Sequence, residues 1–499
     1  MKSKQVSIIC NGIRKRVPIG TRLADAFFVD TPCAGHGTCG KCKVIATGDL
    51  SEMSAAERAH LTERECADGV RLACFTFIMG ECTVQDLHAT GKTEILTGGV
   101  RADLTLCPTF LHYGAAIDIG TTTVAAKVFD VNGICLADTA CLNPQIGFGA
   151  DVISRIEAAL DGKQQALADA VRGALNDALC TLKEALPQNG EIDRIVITGN
   201  TAMLHLLTLT ATEPLSHAPF QAKRLFGETL SARDLGLVDA AEGATVYLPP
   251  CISAFIGADT TCALLASGIC RDTKTALLAD IGTNGEMALW REGHLTVCST
   301  AAGPAFEGVG ISMGMRATAG AVNAVAIVNG RLHATTVGDL PPVGICGSGL
   351  VDAVACLLEL EELDESGYLA DERIAVAPPV YLTSQDIRAL QPAKSAISSG
   401  ILTMLDARGC TVEDVESFCV AGCFGSYLNL SHAERIGLIP KGLSPKAKVI
   451  GNAAIEGAAM LLLDKRAADE ADRIAREAQL LELATNPVFA DAFMANMLF

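Results

Sequence analysis

Residues 113–130 read YGAAIDIGTTTVAAKVFD. Small and apolar residues run into Asp118, a turn of Gly120 and three threonines, Thr121, Thr122 and Thr123, follows, and a second apolar run leads from Val124 to Phe129. Two such runs around a Gly-Thr turn predict a tight β-hairpin. A turn of this kind aims backbone N–H groups and hydroxyls at one point, which suits a phosphate. The chain then repeats the pattern. Residues 277–290 read LLADIGTNGEMALW, with Asp280 in the place of Asp118 and Gly282, Thr283, Asn284 and Gly285 in the turn. Two copies 162 residues apart predict two related half-domains that face one phosphate chain. Glu286 adds a further carboxylate. Acidic groups beside a polyphosphate call for Mg²⁺ between them, most naturally as holders of the waters in its shell. Either aspartate could also orient an attacking water.

At 499 residues the chain is too long for one compact core, and about two to four domains are expected. Hydrophobic residues make up 49% and mean hydropathy is +0.33, which supplies ample core and argues against disorder. No apolar run is long enough for a membrane span and the polar MKSKQ start resembles no signal peptide, so a cytoplasmic chain is expected, with no membrane partner. The net charge of −18 is uneven: residues 1–90 carry +1 and the remainder −19. Nothing here is basic enough for nucleic acid. Twenty cysteines spread over a long chain without an export signal read as reduced thiols, some of them metal ligands.

The N-terminal ninety residues open with a hairpin, Val6–Cys10 and Arg14–Ile19 about an Asn11-Gly12 turn. Residues 31–44, TPCAGHGTCGKCKV, then place Cys33, Cys39 and Cys42 in a C-x5-C-x2-C spacing, with Cys74 further on. Three close cysteines and one distant one match the ligand pattern of a 2Fe–2S ferredoxin, the five-residue first gap resembling the adrenodoxin-type variant. The Gly-rich loop lets backbone N–H groups approach the sulfurs. Zinc is the rival, although its sites more often pair two short CxxC-like motifs. Cys66 and Cys82 read as small buried hydrophobes, and His36 as an exposed loop residue.

Residues 88–112 read as a linker. In NPQIGFGADVISRI, residues 143–156, Gln145 and Asp151 are either cleft residues or a loop with a helix N-cap at Asp151. A strand running into GNTAMLHLL, residues 199–207, makes Asn200 and Thr201 site candidates at a strand's C-terminal end, while His205 reads as packing. A helix is expected from about Asp259. In residues 299–322 Glu307 and Arg316 are charges among glycines and alanines, and Arg316 could meet a phosphate or a carboxylate. The glycines of GICGSG before a helix near Leu350 suit an anion but only weakly resemble a dinucleotide fingerprint. Gly422 and Gly425, in VESFCVAGCFGSYLNL, would let an adenosine lie against the backbone; the flanking Cys419 and Cys423 read as packing thiols.

DIGTTT, DIGTNGE and AGCFGSY, in that order, resemble the phosphate-1, phosphate-2 and adenosine motifs of the actin, sugar-kinase and heat-shock-chaperone ATPase superfamily. The longer strings NPQIGFGADVISRI, GNTAMLHLL, AAGPAFEG, GICGSGLVDAVA and GNAAIEGA resemble the reductive activators of corrinoid-dependent methyltransferases across nearly the whole chain. The resemblance implies an α/β protein: a β-grasp 2Fe–2S ferredoxin-like domain over 1–90, a linker over 91–112, and a duplicated actin/Hsp70-like, ribonuclease H-like ATPase with halves at 113–275 and 276–499. Only a short linker follows the ferredoxin segment, so a short form without the family's middle domain is expected. The implied reaction is the ATP-dependent transfer of one electron to a corrinoid protein, from Co(II) to Co(I). Asp118 and Asp280 would serve Mg²⁺ and water, Thr121, Thr122, Thr283 and Asn284 the phosphates, and Gly422 and Gly425 the adenosine. The partners implied are a cobalamin-binding protein of a methyltransferase system and a low-potential electron donor, with a homodimer by resemblance alone. A small-molecule kinase of the same superfamily and an ATP-binding redox sensor are the alternatives. A kinase has no evident need of a ferredoxin, and a sensor would deliver no electrons catalytically. Replacing Cys39 by serine is expected to abolish the visible absorption of the cluster, which spectroscopy and iron analysis of the anaerobically purified variant would check.

Overall fold

The computed structural model describes residues 5–10, 13–26, 29, 35, 37, 40–86, 97–187, 190–422 and 427–499. Cys33, His36, Cys39, Cys423 and Gly425, with the Asn11-Gly12 turn, lie outside the described residues. The chain forms two compact units, Met1–Lys92 with Asn143–Val171, and Thr93–Leu142 with Arg172–Phe499.

In the first unit β1 (Gln5–Cys10), β2 (Ile13–Pro18), β3 (Lys43–Leu50), β4 (Val70–Leu72) and β5 (Ile78–Asp86) form one sheet in the order β2-β1-β5-β3-β4. The β1–β5 pair is parallel and the others antiparallel, the β-grasp arrangement expected of a ferredoxin-like domain. Ile8, Leu23, Val44, Leu72, Ile78 and Val84 form its core. Glu57 lies within it, fully buried, and accepts from Arg71 Nε at 2.9 Å and Nη2 at 3.0 Å, Leu72 N at 2.8 Å and Thr76 Oγ1 at 3.1 Å. Every bond goes to the segment that carries Cys74, so one satisfied carboxylate holds that segment. In the part of this unit drawn from 143–171, Asp151 caps the helix Val152–Ala158, and buried Gln145 donates to Leu167 O at 3.0 Å. The N-cap reading of Asp151 is therefore the one the structure supports.

The second unit is built on two sheets of one design. The first uses β6 (Tyr113–Ile119), β7 (Thr123–Asp130), β8 (Cys135–Leu142), β9 (Ile192–Gly199), β10 (Glu228–Ser231) and β11 (Thr245–Leu248), in the order β10-β11-β9-β6-β7-β8. The second combines β12 (Ala276–Ile281), β13 (Gly285–Arg291) and β14 (His294–Thr300) with later strands. Between these in sequence come two small sheets, of β15 (Ala321–Val328), β16 (Arg331–Thr336) and β17 (Gly344–Ile345), and of β18 (Arg373–Ala377) and β19 (Val380–Thr383). With β20 (Ser417–Ala421), β21 (Ala447–Gly451) and β22 (Gln479–Leu480), the second large sheet has the order β21-β20-β12-β13-β14-β22. In each, a three-stranded antiparallel meander (β6–β8, β12–β14) adds two parallel strands beside its first (β9 and β11, β20 and β21). The predicted hairpins are thus real and occupy equivalent places in a duplicated fold.

Two helices, Ala258–Ser267 and Ala453–Leu463, share a core with both sheets: Ala116, Ala125 and Val196 of the first, Leu278, Ala288 and Val297 of the second. Flanked by sheets, the second helix is apolar almost all round. The helices meet backbone to backbone, since a Cβ on Gly457 would stand 2.0 Å from Cys262 O. The stretch read as a linker is also docked: Val100 N donates to Ile450 O, Ala102 N to Ala266 O, Cys107 N to Leu463 O and Thr109 N to Leu462 O, at 2.7–2.9 Å. The glycines of GICGSG serve packing. Gly349 lies within the helix Gly347–Glu359, and a Cβ there would stand 2.2 Å from Val322 O.

Replacing Glu57 by alanine, which leaves Arg71 buried without its anion, is expected to destabilise the N-terminal unit by about 3–5 kcal/mol; urea unfolding followed by circular dichroism would measure it.

Candidate functional site

Asp118 is the penultimate residue of β6 and Asp280 that of β12, each strand leading into its turn. Gly120 N donates to Thr123 O at 2.9 Å and Gly282 N to Asn284 O at 3.0 Å, which closes the two turns alike. The hairpin register sets Glu286 opposite Asp280, on one face of the sheet, whereas Ala125 stands opposite Asp118. Gly285 is buried because Ile397 fills its side-chain space, a Cβ there falling 2.1 Å from Ile397 Cδ1. Gly422 has φ +94°, and a Cβ would stand 2.5 Å from Asp280 Oδ1. This close approach demands glycine where β20 leads into the adenosine-like motif.

The two helices that cross at Gly457 bring further residues. Asn452 caps Ala453–Leu463, its Oδ1 accepting from Ile455 N at 3.1 Å while its Nδ2 donates to Asp118 Oδ2 at 3.0 Å. Asp259 lies in the first turn of Ala258–Ser267. The electrostatics show what surrounds it. Desolvation pushes Asp118 up to about 7, with Asp259 and Asp280 adding to the shift and the Asn452 bond opposing it. Asp280 is pushed up to about 7, first by desolvation and then by Asp259. Asp259 itself rises to about 6 on desolvation. Glu286 is raised well above the carboxylate range by desolvation, then by Asp259 and Asp280. Four carboxylates drawn from both hairpins and one helix thus share one region, and Asp259 raises each of the other three. Among the described residues no lysine or arginine forms an ion pair with any of them.

Sequence reading did not single out Asp259 as a site residue, placing it only near a helix start. Its signal was Gly257-Ala258-Asp259 just before an apolar helix, a common pattern. Thr201 proves unavailable, being fully buried with its hydroxyl donated to Ser253 O at 2.7 Å. Asn200 is the N-cap of Thr201–Leu207, accepting from Ala202 N. His205 is buried between the carbonyls of Ala211 and Arg224. Glu307 takes a place beside the second turn, where Thr283 Oγ1 lies 2.7 Å from its Oε1 and Gly303 N donates to Thr283 O at 3.0 Å.

Of the cysteine ligand candidates, Cys42 and Cys74 are described. Both are buried, their sulfurs are 3.2 Å apart, and Cys74 N lies 3.4 Å from Cys42 Sγ. Two converging sulfurs with a backbone N–H on one of them fit half of the four-thiolate donor set that such a cluster requires. Cys82 is packed on β5 and raised to about 11, chiefly by burial; Cys66 Sγ rests against Met53 Sδ at 3.7 Å. Cys419 is buried in β20. Among the described residues no three His, Cys, Asp or Glu side chains converge as direct ligands of one metal ion. The four carboxylates therefore fit a hydrated cation held through its waters better than a bare one.

Residues 113–272 match the family model described as the RACo middle region, and residues 274–499 that of the C-terminal, ASKHA domain of RACo. The expectation of a short form without the middle domain is overturned: the segment read as a first ATPase half is that region. Its own Asp-Gly-Thr hairpin on a duplicated sheet design made the two indistinguishable by pattern. The chain is 35% identical over 419 residues to the corrinoid activation enzyme RamQ of Eubacterium limosum, covering 78% of this chain and 70% of the relative. It is 25% identical over 417 residues to the [Co(II) methylated amine-specific corrinoid protein] reductase of Methanosarcina barkeri, covering 77% and 76%. The solved structure of a reductive activator for corrinoid, iron-sulfur protein superposes with a TM-score of 0.72 at 27% identity, over 99% of this chain and 98% of the other.

Since the folded-state values of Asp118 and Asp280 lie above the ordinary carboxylate range, their contribution to stability is fully present below about pH 4 and is lost as pH rises through 7. Replacing Asp118 by asparagine is expected to raise the melting temperature of the metal-free protein at pH 8 and to flatten its decline between pH 5 and 8. Thermal melts across that range would check it.

Proposed function

We propose that this chain, which belongs to the family of corrinoid activation enzymes, couples ATP to the one-electron reduction of the cobalt of a corrinoid protein, from Co(II) to Co(I). The observation that carries the ATP half is the convergence of Asp118, Asp259, Asp280 and Glu286 from a duplicated hairpin fold, with no side-chain cation to neutralise them among the described residues. Uncompensated and half-buried, these carboxylates fit hydrated Mg²⁺, which supplies positive charge between them and a polyphosphate when bound. Asp118, held by Asn452, and Asp280, paired with Glu286, would take the waters of its shell. The turns at Gly120–Thr123 and Gly282–Gly285 would hold the phosphates, and Gly422 with Gly425 the adenosine.

For the redox half, Cys33, Cys39, Cys42 and Cys74 would hold a 2Fe–2S cluster, which supplies one-electron storage when bound. What the described part of this chain contributes is the buried pair Cys42 and Cys74, kept in place through Glu57. Reduction of Co(II) is uphill for an ordinary donor of this type, and each 59 mV of deficit requires about 1.4 kcal/mol for one electron. Nucleotide would favour the complex in which the cobalt is easier to reduce, by binding that state more tightly. The domains are read as 1–90 for the cluster, 91–112 for the connection, 113–275 and 276–499 for the two halves of the nucleotide unit. The partners are a corrinoid protein of a methyltransferase system and a low-potential donor, in the cytoplasm. No helix among the described residues is long and apolar enough to cross a membrane. A homodimer is part of the same reading.

The test is anaerobic. With ATP, a low-potential reductant and a Co(II) corrinoid protein encoded nearby, the chain is expected to generate the Co(I) spectrum, and Asp118→Ala to lose ATP turnover while keeping its cluster absorption. A wild type that yields no Co(I) with any such corrinoid protein would sink the reading.

A further inference from the structure

Thr283 sits in the second turn and is gripped by one segment from outside. Gly303 N donates to its carbonyl at 3.0 Å, and Glu307 Oε1 lies 2.7 Å from its hydroxyl oxygen. The other carboxyl oxygen, Glu307 Oε2, is buried and has no hydrogen-bond partner. The proton count around this contact is decisive. A threonine hydroxyl has one proton and two lone pairs. If Glu307 is ionised, that single proton goes to Glu307 and Thr283 offers only lone pairs to the cleft, which repel a phosphate oxygen. An anionic Oε2 would then be buried with no donor, one of the costly arrangements in a protein interior. If Glu307 is a neutral acid, both difficulties vanish. Its O–H donates to Thr283 Oγ1, Oε2 is an uncharged carbonyl oxygen, and the proton of Thr283 is free to point at a phosphate.

We propose that Glu307 is a positioning residue that works as a neutral carboxylic acid, donating to Thr283 so that Thr283 in turn donates to a phosphate oxygen of the bound nucleotide. The inference rests on the reading of the Gly282–Gly285 turn as a phosphate seat and assigns that seat its polarity. Burial raises the pKa of Glu307, against the opposing pull of the Thr283 bond, of its own backbone N–H and, among the described charged side chains, of Arg316. The helices packed on Pro304–Glu307 carry their own titratable groups, and those are engaged elsewhere. Asp386 accepts from Ser312 N and Thr383, Asp352 pairs with His432, and Lys394 donates to the carbonyls of Asn496 and Leu498. Lengthening the donor chain by one hydroxyl also sharpens the bond, because neighbouring hydrogen bonds polarise one another in a low dielectric.

The experiment measures Mg²⁺·ATP affinity of the full chain from pH 6 to 9 for the wild type, Glu307→Gln, Glu307→Ala and Thr283→Val. Glutamine is always neutral and keeps an N–H donor, so Glu307→Gln is expected to hold affinity within about threefold and to lack the alkaline fall expected of the wild type. Glu307→Ala and Thr283→Val are each expected to weaken binding about tenfold, one hydrogen bond's worth, and the double variant no further. A carbonyl band of a protonated carboxyl in the nucleotide-induced infrared difference spectrum, absent in Glu307→Gln, is expected as a readout independent of affinity and of the stability of the alanine variant. If Glu307→Gln is as impaired as Glu307→Ala, or if the band survives in Glu307→Gln, the proposal is overturned while the ATP reading stands. A wild type that binds no nucleotide overturns both.

Discussion

The crossing of two helices at Gly457 is the constraint on which the nucleotide unit depends. With any side chain at that position the helix Ala453–Leu463 could not lie against Cys262 O, and the two axes would have to separate. Each helix begins only a few residues earlier, one at the cap Asn452 that holds Asp118, the other at the turn that carries Asp259. Both starts are therefore fixed beside the carboxylates by a contact that lies deeper in the core. Close packing leaves little slack for such an arrangement, so the position of two acidic groups is set by the absence of one methyl group.

The site that results is electrostatically unfinished. Desolvation raises four carboxylates in the cleft, neighbouring acids add to the shift in three of them, and among the described residues no lysine or arginine pairs with any of the four. The converging helix starts offer N–H dipoles but no full charge. On the proposed reading such a cleft would bind a polyanion only together with a cation, which would make metal and nucleotide mutually dependent guests. Glu307 belongs to the same logic from the opposite side: a carboxyl next to the phosphate seat is tolerable only as an acid.

What could be read from sequence was whatever lies within one contiguous stretch. Asp118 and Asp280 lie next to last in their strands and precede Gly-Thr turns, so both hairpins and their duplication were visible, as was the cysteine spacing that includes Cys42 and Cys74. Asp259 was not visible as a site residue, because its place depends on the helix crossing, a contact between residues almost two hundred positions apart. Thr201 was legible as a polar residue at a strand end, but not as one whose hydroxyl is spent on Ser253 O. The glycines of GICGSG resembled an anion loop, while Gly349 is small for the sake of Val322 O. The family's middle region was not recognised as such, because residues 113–272 carry an Asp-Gly-Thr hairpin of the same design as the C-terminal half and no pattern difference sets them apart.

The docked stretch after residue 97 has a mechanical meaning. Gly98 O accepts from the backbone N of Asn452 at 3.1 Å, and the side chain of that same asparagine holds Asp118. One residue thus serves as a rivet for both the strap and the acid. Within this unit the backbone at Gly98 and the carboxylate of Asp118 therefore share one anchor, and a shift of that anchor would move both.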